Sequence, residues 1–473
     1  MINFSDFLTM HQEMSLMVIF IVLLVYDIFV SGRARQWLYP LACMLLGVHV
    51  VLGFALPADP EVAYDGLYVN SPMTILMKNI LSIGTLLVFL QAGNRLRGDI
   101  KQGEFYVITL STLLGMFLMI SAGNFMMLYI GIETASLPLA CLAAFDKGKE
   151  KSAEAGAKYI LIAALSSGIM LFGLSYLYGA TGTMYFADMQ ALIGDSPLVI
   201  LGFVFFFSGL AFKISIVPFH LWTADVYEGA PTPVTAYLSV ISKGAAVFAL
   251  VFALWQAFGN IAVVWHHILW GLSVLTIVIG NLFAIKQKDI KRFFAFSSIS
   301  QAGFILLGVM GGTAQGMNAT VYYILAYLFS NLAAFGVISA VEAESGRTDI
   351  AAYNGLYRSN PKLAFVMMLA VFSLAGIPPF VGFFSKFFIF AAAAEQGEYL
   401  LVFIALVNTV ISLYYYLLIV RAMFINPAEE TAIGAFRTDG YNKLSLIMCT
   451  AGILLVGLLS GIYEYIGGIS FGM

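Results

Sequence analysis

About fourteen long apolar stretches, joined by short polar connectors, dominate this 473-residue chain. Crossing the hydrocarbon of a bilayer takes about 20 apolar residues in helical form. Stretches of that length begin near Glu13, Trp37, Pro72, Gly103, Asn124, Ala153, Pro197, Pro233, Val263, Lys291, Met317, Pro361, Tyr399 and Asn442. Composition agrees: 61% of residues are hydrophobic and 10% charged, against roughly 25% charged in a soluble domain. A soluble fold cannot hide that much apolar surface, so the expected class is an all-α membrane protein. The first span is not a cleaved signal peptide, because Arg33 and Arg35 follow its apolar run instead of preceding it. Cys43, Cys141 and Cys449 stand isolated in apolar stretches and read as small buried hydrophobes, not as disulfides or metal ligands.

Orientation follows from where Lys and Arg fall between the spans. The odd-numbered loops carry Arg33, Arg35, Arg95, Arg97, Lys101, Lys147, Lys149, Lys151, Lys286, Lys288, Lys291, Arg292, Arg347, Arg358, Lys362, Arg421, Arg437 and Lys443. That is eighteen of the chain's 23 basic residues, and even loops such as 57–70 and 180–196 have none. Odd loops are therefore expected on the cytoplasmic side, with both termini opposite.

The remaining basic residues are Lys78, Lys158, Lys213, Lys243 and Lys386, each inside a span. A lysine at a helix centre costs roughly 2.5–3.5 kcal/mol on insertion scales, so the default explanation for several of them is an ion pathway. Depth separates the five. Lys78 is six residues beyond Pro72 and close enough to the outer end to snorkel. Lys158, five residues beyond Ala153, is equally compatible with snorkelling and with function. Lys243, ten residues beyond Pro233, lies roughly 15 Å into the bilayer. Lys213 and Lys386 are similarly central. Glu133, nine residues beyond Asn124, is the one carboxylate of comparable depth in its span. Burial favours the neutral form of each group and an opposite charge nearby favours the ionised pair. A Glu–Lys contact that opens and closes would thus switch proton affinity. Lysine suits such a relay; arginine would stay charged.

Two spans carry breaks. Pro218 follows Lys213 in AFKISIVPFHLW, and Pro378–Pro379 precede Lys386 in AGIPPFVGFFSK. Each proline removes a helix hydrogen bond, and a membrane tolerates the freed groups only where protein or cavity water satisfies them. Interrupted helices with central charges mark ion sites in transporters. The broken spans are the seventh and twelfth. Spans four to eight and nine to thirteen then form two five-helix units, each broken in its fourth member. Five being odd, the second unit is inverted. The expected organisation is residues 1–98 as three leading helices, 99–260 and 261–425 as the two repeats, and 426–473 as a closing helix. His220, just past Pro218, suits a proton relay or caps the broken half-helix. Ser297, Ser298, Ser300 and Gln301 bring polar groups into the tenth span, to line a wetted path or to bond across helices.

The segment KISIVPFHLWTADVYEGAPTPVTAYLSVISKGAAVF resembles the signature of the antiporter-like subunits of respiratory complex I and of Mrp-type sodium–proton antiporters. DVYEGAPTPV followed closely by SK is similar to the complex I branch, and GIETASLPL, FSSISQAGF and SLAGIPPFVGFFSKF agree, over nearly the whole chain. The resemblance implies that Glu133 is the acid of the fifth helix, Lys213 the lysine of broken helix seven and Lys243 that of helix eight. Lys386 is then the ionisable residue of broken helix twelve, where one sister subunit has Glu. Gln301 departs from the pattern, since many relatives have a titratable His there. The resemblance also implies that NADH, FMN, iron–sulfur clusters and quinone belong to other subunits, consistent with the lack of a GxGxxG unit or cysteine cluster here. Expected partners are other membrane subunits, including a second antiporter-like one and small membrane subunits, within the bacterial inner membrane and without nucleic acid. The long lateral helix of the most distal subunit is not expected, because the chain stops soon after its fourteenth span.

Three readings stay open from the sequence: a redox-driven proton-pump subunit, an Mrp-type antiporter subunit, and a structural spacer. The series of buried ionisable groups argues against the last.

Overall fold

The computed structural model describes residues 4–56, 60–96, 101–427, 433–459 and 461–469. Arg97 lies outside them. The membrane helices are α1 His11–Phe29, α2 Leu38–Ala55, α3 Pro72–Leu96, α4 Gln102–Ile120, α5 Phe125–Ala143 and α6 Glu150–Thr181. Then come α7a Pro197–Ile214 with α7b Leu221–Gly229, α8 Thr232–Gln256, α9 Ala262–Ala284, α10 Ile290–Met310 and α11 Ala314–Ser345. The series closes with α12a Pro361–Ala375 and α12b Val381–Glu395, α13 Tyr399–Phe424 and α14 Gly440–Leu458. Among the described residues thirteen spans are long and apolar enough to cross a membrane, and α12a is a shorter apolar helix. With α12a joined to α12b, fourteen segments stand where the sequence places them. The chain is a multi-pass, all-α membrane protein.

Local chemistry sets the helix ends. The first N–H groups of a helix have no partner within it, and an oxygen-bearing side chain at the cap supplies one. Asn124 accepts from Met127 N at 2.8 Å, Ser196 from Val199 N at 3.4 Å and Asp289 from Arg292 N at 2.9 Å, opening α5, α7a and α10. Gly182 and Gly346 close α6 and α11 in the left-handed conformation, which costs glycine nothing sterically.

Burial divides the helices into an inner row and a lipid-facing ring. The apolar windows of α8, α10 and α11 are 94%, 100% and 94% buried, whereas those of α6, α9 and α13 are 33% buried. The inner row carries Lys243, Ser297, Ser298, Gln301, Ser330 and Asn331, kept from hydrocarbon that would penalise them. Between α1 and α3 the connector makes a short antiparallel hairpin, β1 Glu61–Ala63 and β2 Tyr68–Asn70, with Ala63 opposite Tyr68.

Both proline breaks are real interruptions. α7a ends at Ile214, Ser215 turns left-handed with φ +67°, and α7b starts at Leu221. α12a ends at Ala375, Gly376 takes φ +87°, and α12b starts at Val381. Protein groups satisfy part of the freed backbone: Val217 N donates to Thr276 Oγ1 at 3.1 Å, and Gly382 N donates to Ser373 Oγ at 3.1 Å. The indole of Trp222 donates to Phe212 O at 3.1 Å, tying α7b back to the end of α7a. A methyl at Gly376 would lie 3.0 Å from Lys386 Cδ. A left-handed alanine costs about 1–2 kcal/mol on its own. Gly376→Ala is therefore expected to lower the melting temperature of the purified protein, and an unchanged melting temperature would contradict this account of the break.

Three sequence expectations need correction. Lys78 does not snorkel: it is fully buried and paired with Glu13. Lys291 does not sit in a hydrated loop; it is buried in the first turn of α10, donating to Ala230 O at 3.0 Å. Its carbonyl partner arrives from a segment 61 residues away, which loop parity cannot register. Cys141 is exposed on the outside of α5, unlike buried Cys43 and Cys449. A feature the sequence reading does not address is a π turn, Leu238–Ser242, in α8 immediately before Lys243.

Candidate functional site

Lys213, Lys243 and Lys386 are each at most 5% exposed, and no carboxylate lies within ion-pair distance of any of them among the described residues. A charge placed this way is tolerated only with hydrogen bonds in place of a counter-ion. Each lysine has such bonds.

Lys213, in the last turn of α7a, donates to Tyr159 Oη of α6 at 3.2 Å and lies over that ring, 5.9 Å from its centroid. Glu133 of α5 is half-buried and accepts a short hydrogen bond from Ser167 of α6. The expected Glu133–Lys213 contact is therefore open in this structure, with α6 supplying a separate partner to each member.

Lys243 opens the regular part of α8, where the π turn ends. Its Nζ donates to Ser298 Oγ at 2.6 Å and to Ser298 O at 2.9 Å on α10. The next group along α10, Ser297, shares a hydrogen bond with Tyr416 Oη at 2.5 Å. One turn further, Gln301 Nε2 donates to the same Tyr416 Oη and to Leu374 O, both at 3.3 Å, while its Oε1 accepts from Tyr323. Adjacent to Leu374, the carbonyl of Ala375 accepts from Lys386 Nζ at 3.1 Å. Lys386 also stands 4.9 Å from the Phe304 ring centroid, a favourable cation–π placement. A cavity of about 10 Å³ adjoins this point, lined by Gln301, Tyr323, Tyr327, Ser330, Ser373 and Lys386, on the scale of a single water. Lys243 and Lys386 are thus the two ends of one polar line along α10, with Gln301 in its middle. Ser300 is the member left out, its buried hydroxyl making no hydrogen bond along this line among the described residues.

Lys158 and His220 do not join that line. Lys158 is 39% exposed and bridges Glu154 at 2.6 Å and Asp225 at 2.5 Å. Asp225 and Glu228 also hold Arg292, at 2.7 and 2.9 Å, and Glu228 holds Lys151 at 2.7 Å. This is a surface ion network at the α6–α7b–α10 ends. His220 starts α7b, half-buried, without making a cap hydrogen bond to the half-helix. The capping expectation for it does not hold.

Sequence reasoning missed the tyrosines. Tyr159, Tyr323 and Tyr416 sit in apolar runs, yet a buried phenol hydroxyl needs a partner and so marks polar contacts between helices. It also missed a second ionic cluster, where Lys291 Nζ lies 3.9 Å and Arg95 3.8 Å from Glu342, which also accepts from Thr232.

Residues 122–412 match the family described as NADH:quinone oxidoreductase/Mrp antiporter, transmembrane. The NADH-quinone oxidoreductase subunit N of Azobacteroides pseudotrichonymphae is 61% identical, aligned over 100% of this chain and 99% of that protein. The protein of the same description from Phocaeicola vulgatus is 56% identical over 98% of each. Among solved structures, a chain of respiratory complex I from Thermus thermophilus with bound aureothin superposes with a TM-score of 0.81 at 30% identity, covering 95% of this chain and 98% of that one.

Proposed function

Since the chain belongs to the NADH:quinone oxidoreductase/Mrp antiporter transmembrane family, we infer that it is a proton-translocating membrane subunit of a bacterial NADH:quinone oxidoreductase. The observation that carries the reading is the line Lys243–Ser298–Ser297–Tyr416–Gln301–Leu374–Ala375–Lys386 across the most buried helices. Lysines hold and release the proton. The hydroxyls of Ser298, Ser297 and Tyr416, which donate and accept at once, pass it along α10; the carbonyls of Leu374 and Ala375 only accept, so the last step to Lys386 goes through water in the cavity that Gln301, Tyr323 and Lys386 line. Gln301 cannot titrate, so it orients Tyr416 and Tyr323 and leaves proton storage to the lysines. Lys213 and Glu133, which have no hydrogen bond to that line among the described residues, form a separate switch: closing their contact holds Lys213 charged, and opening it, as here, favours proton release.

The resemblance to Mrp antiporters leaves exchange of sodium for protons as the competing mode, but full-length relatives at 61% and 56% identity carry the oxidoreductase description. NADH, FMN, iron–sulfur clusters and quinone are assigned to other subunits, so this chain contributes transport to an oxidoreductase without a redox centre of its own. A second antiporter-like subunit and small membrane subunits are its expected neighbours in the inner membrane. The two five-helix units, 99–260 and 261–425, are read as inverted repeats, each broken in its fourth helix. NADH-driven acidification of inverted membrane vesicles is expected to persist in sodium-free buffer. A strict sodium requirement would instead favour the antiporter mode.

Loop charge supports the reading that both termini face outside. An impermeant thiol reagent is expected to label a cysteine at Ser196 only from the periplasm and one at Gly148 only from the cytoplasm. Labelling of both from one side would overturn the orientation.

A further inference from the structure

We propose that the first three helices hold a second proton-handling site, centred on the buried pair Glu13–Lys78 and opening to the outer side. It rests on the reading of this chain as a proton-translocating subunit and lies outside the segment, 122–412, that carries the family match. Lys78 Nζ lies 2.6 Å from Glu13 Oε1, and the two side chains are 0% and 4% exposed. Tyr68 of β2 closes the triangle: its hydroxyl donates to Glu13 Oε2 at 2.9 Å and accepts from Lys78 Nζ at 2.9 Å. The hairpin thus lies over a lysine that would otherwise reach the headgroups. Two histidines lie within electrostatic reach of Glu13. His11 also feels Lys78 and the exposed Glu61. His49 hydrogen-bonds Ser15 at 2.7 Å and Ser82 at 3.2 Å.

A purely structural pair has no need of such company, and in this position it is a poor source of stability. Two charges taken out of water lose roughly what their attraction returns, and apolar replacements often serve as well. Polar groups also lead inward from the pair. Lys78, Ser82 and Thr85 recur at i, i+4 and i+7, one face of α3. Thr85 adjoins Tyr237, which pairs with Thr112 at 2.7 Å. Two residues on, Ser239 accepts from Asn331 at 2.6 Å. Its neighbour Ser330 shares a hydrogen bond with Ser373 at 2.8 Å, on the wall of the Lys386 cavity. Polar pairs thus recur, without one continuous hydrogen-bond chain, between the site and the wall of the Lys386 cavity.

The step is a simple transfer. A proton passes from the Lys78 ammonium to the Glu13 carboxylate, leaving amine and acid. The acid releases it to the outer water past His11 and Glu61. Lys78 then takes the next proton from the Ser82 side.

The test compares Glu13→Gln/Lys78→Met, which keeps the volume and removes both charges, with Tyr68→Phe, which removes one hydroxyl, and with Lys213→Ala. Proton pumping per NADH oxidised is measured in vesicles containing the fully assembled complex. The expected result is assembly of the double variant and of Tyr68→Phe with loss of pumping in both. If the double variant assembles and pumps normally, the pair is structural and the proposal fails. If at the same time Lys213→Ala abolishes pumping, the functional reading stands; if Lys213→Ala also pumps normally, that reading falls as well. Should the double variant not assemble, Tyr68→Phe decides alone: lost pumping supports the site and normal pumping overturns it.

Discussion

Replacing Lys213 with alanine is expected to slow proton pumping and coupled NADH oxidation together, by about two orders of magnitude. The size follows from the cost of a charge at mid-membrane. Without a group to hold it, the proton must cross with an added penalty of roughly 2.5–3.5 kcal/mol, and each 1.36 kcal/mol is tenfold in rate. A relay that cannot empty stalls the redox cycle driving it, so both rates fall, and the residual oxidation that slips past the stall moves fewer protons per NADH. Lys213→Arg is expected to fail as well, although it preserves charge and reach to Tyr159, because guanidinium does not give up its proton. Glu133→Ala is expected to act in the same direction by removing the carboxylate that recharges Lys213. Lys147, exposed in a connecting loop, supplies the neutral comparison: its alanine variant should pump as wild type does. Parallel loss in Lys147→Ala would show that the effect is one of folding.

Lys386→Met is expected to give the second large effect, a similar loss of pumping from the far end of the line that begins at Lys243. Methionine fills the space beside Phe304 and Gly376 without a proton to carry, so packing is largely kept. Ala375 O loses the donor it has at 3.1 Å, but a carbonyl at a helix break can turn to cavity water. Assembly should therefore survive while transport does not. Gln301→Leu is the informative companion: it keeps both lysines and removes the group that links Tyr416, Tyr323 and Leu374. Pumping should fall here too, through lost orientation. Normal pumping in an assembled Gln301→Leu complex would show that the proton does not follow α10.

Much of this arrangement was legible in the sequence because the membrane penalises every exception. Lys213, Lys243 and Lys386 stand out by depth alone, and Pro218 and Pro378–Pro379 announce breaks that the helices do show. What could not be read depends on partners brought from far along the chain. Lys78 looked like a snorkelling residue because nothing local reveals that Tyr68 folds over it or that Glu13 reaches it from α1. Lys291 looked like a loop residue for the same reason. The π turn before Lys243 left no mark in the residue pattern. Glu133 and Lys213 were expected as partners; the structure gives Ser167 to one and Tyr159 to the other, a state that composition cannot distinguish from the closed pair. Gln301 drew attention as a missing histidine, yet its geometry shows a bridging group with both ends of its amide engaged.

A proton moved outward works against about 2.3 kcal/mol per 100 mV of membrane potential, so a chain that carries protons must show it in the stoichiometry of the whole complex. The most direct test is the number of protons pumped per NADH oxidised by fully assembled complexes bearing Lys213→Ala, measured in sealed vesicles at matched turnover. The expected result is a complex of normal composition whose residual NADH oxidation moves fewer protons than wild type, or that oxidises NADH too slowly to pump at all. A fully assembled Lys213→Ala complex with wild-type turnover and an unchanged proton-to-NADH ratio would contradict transport through this chain and leave it a scaffold.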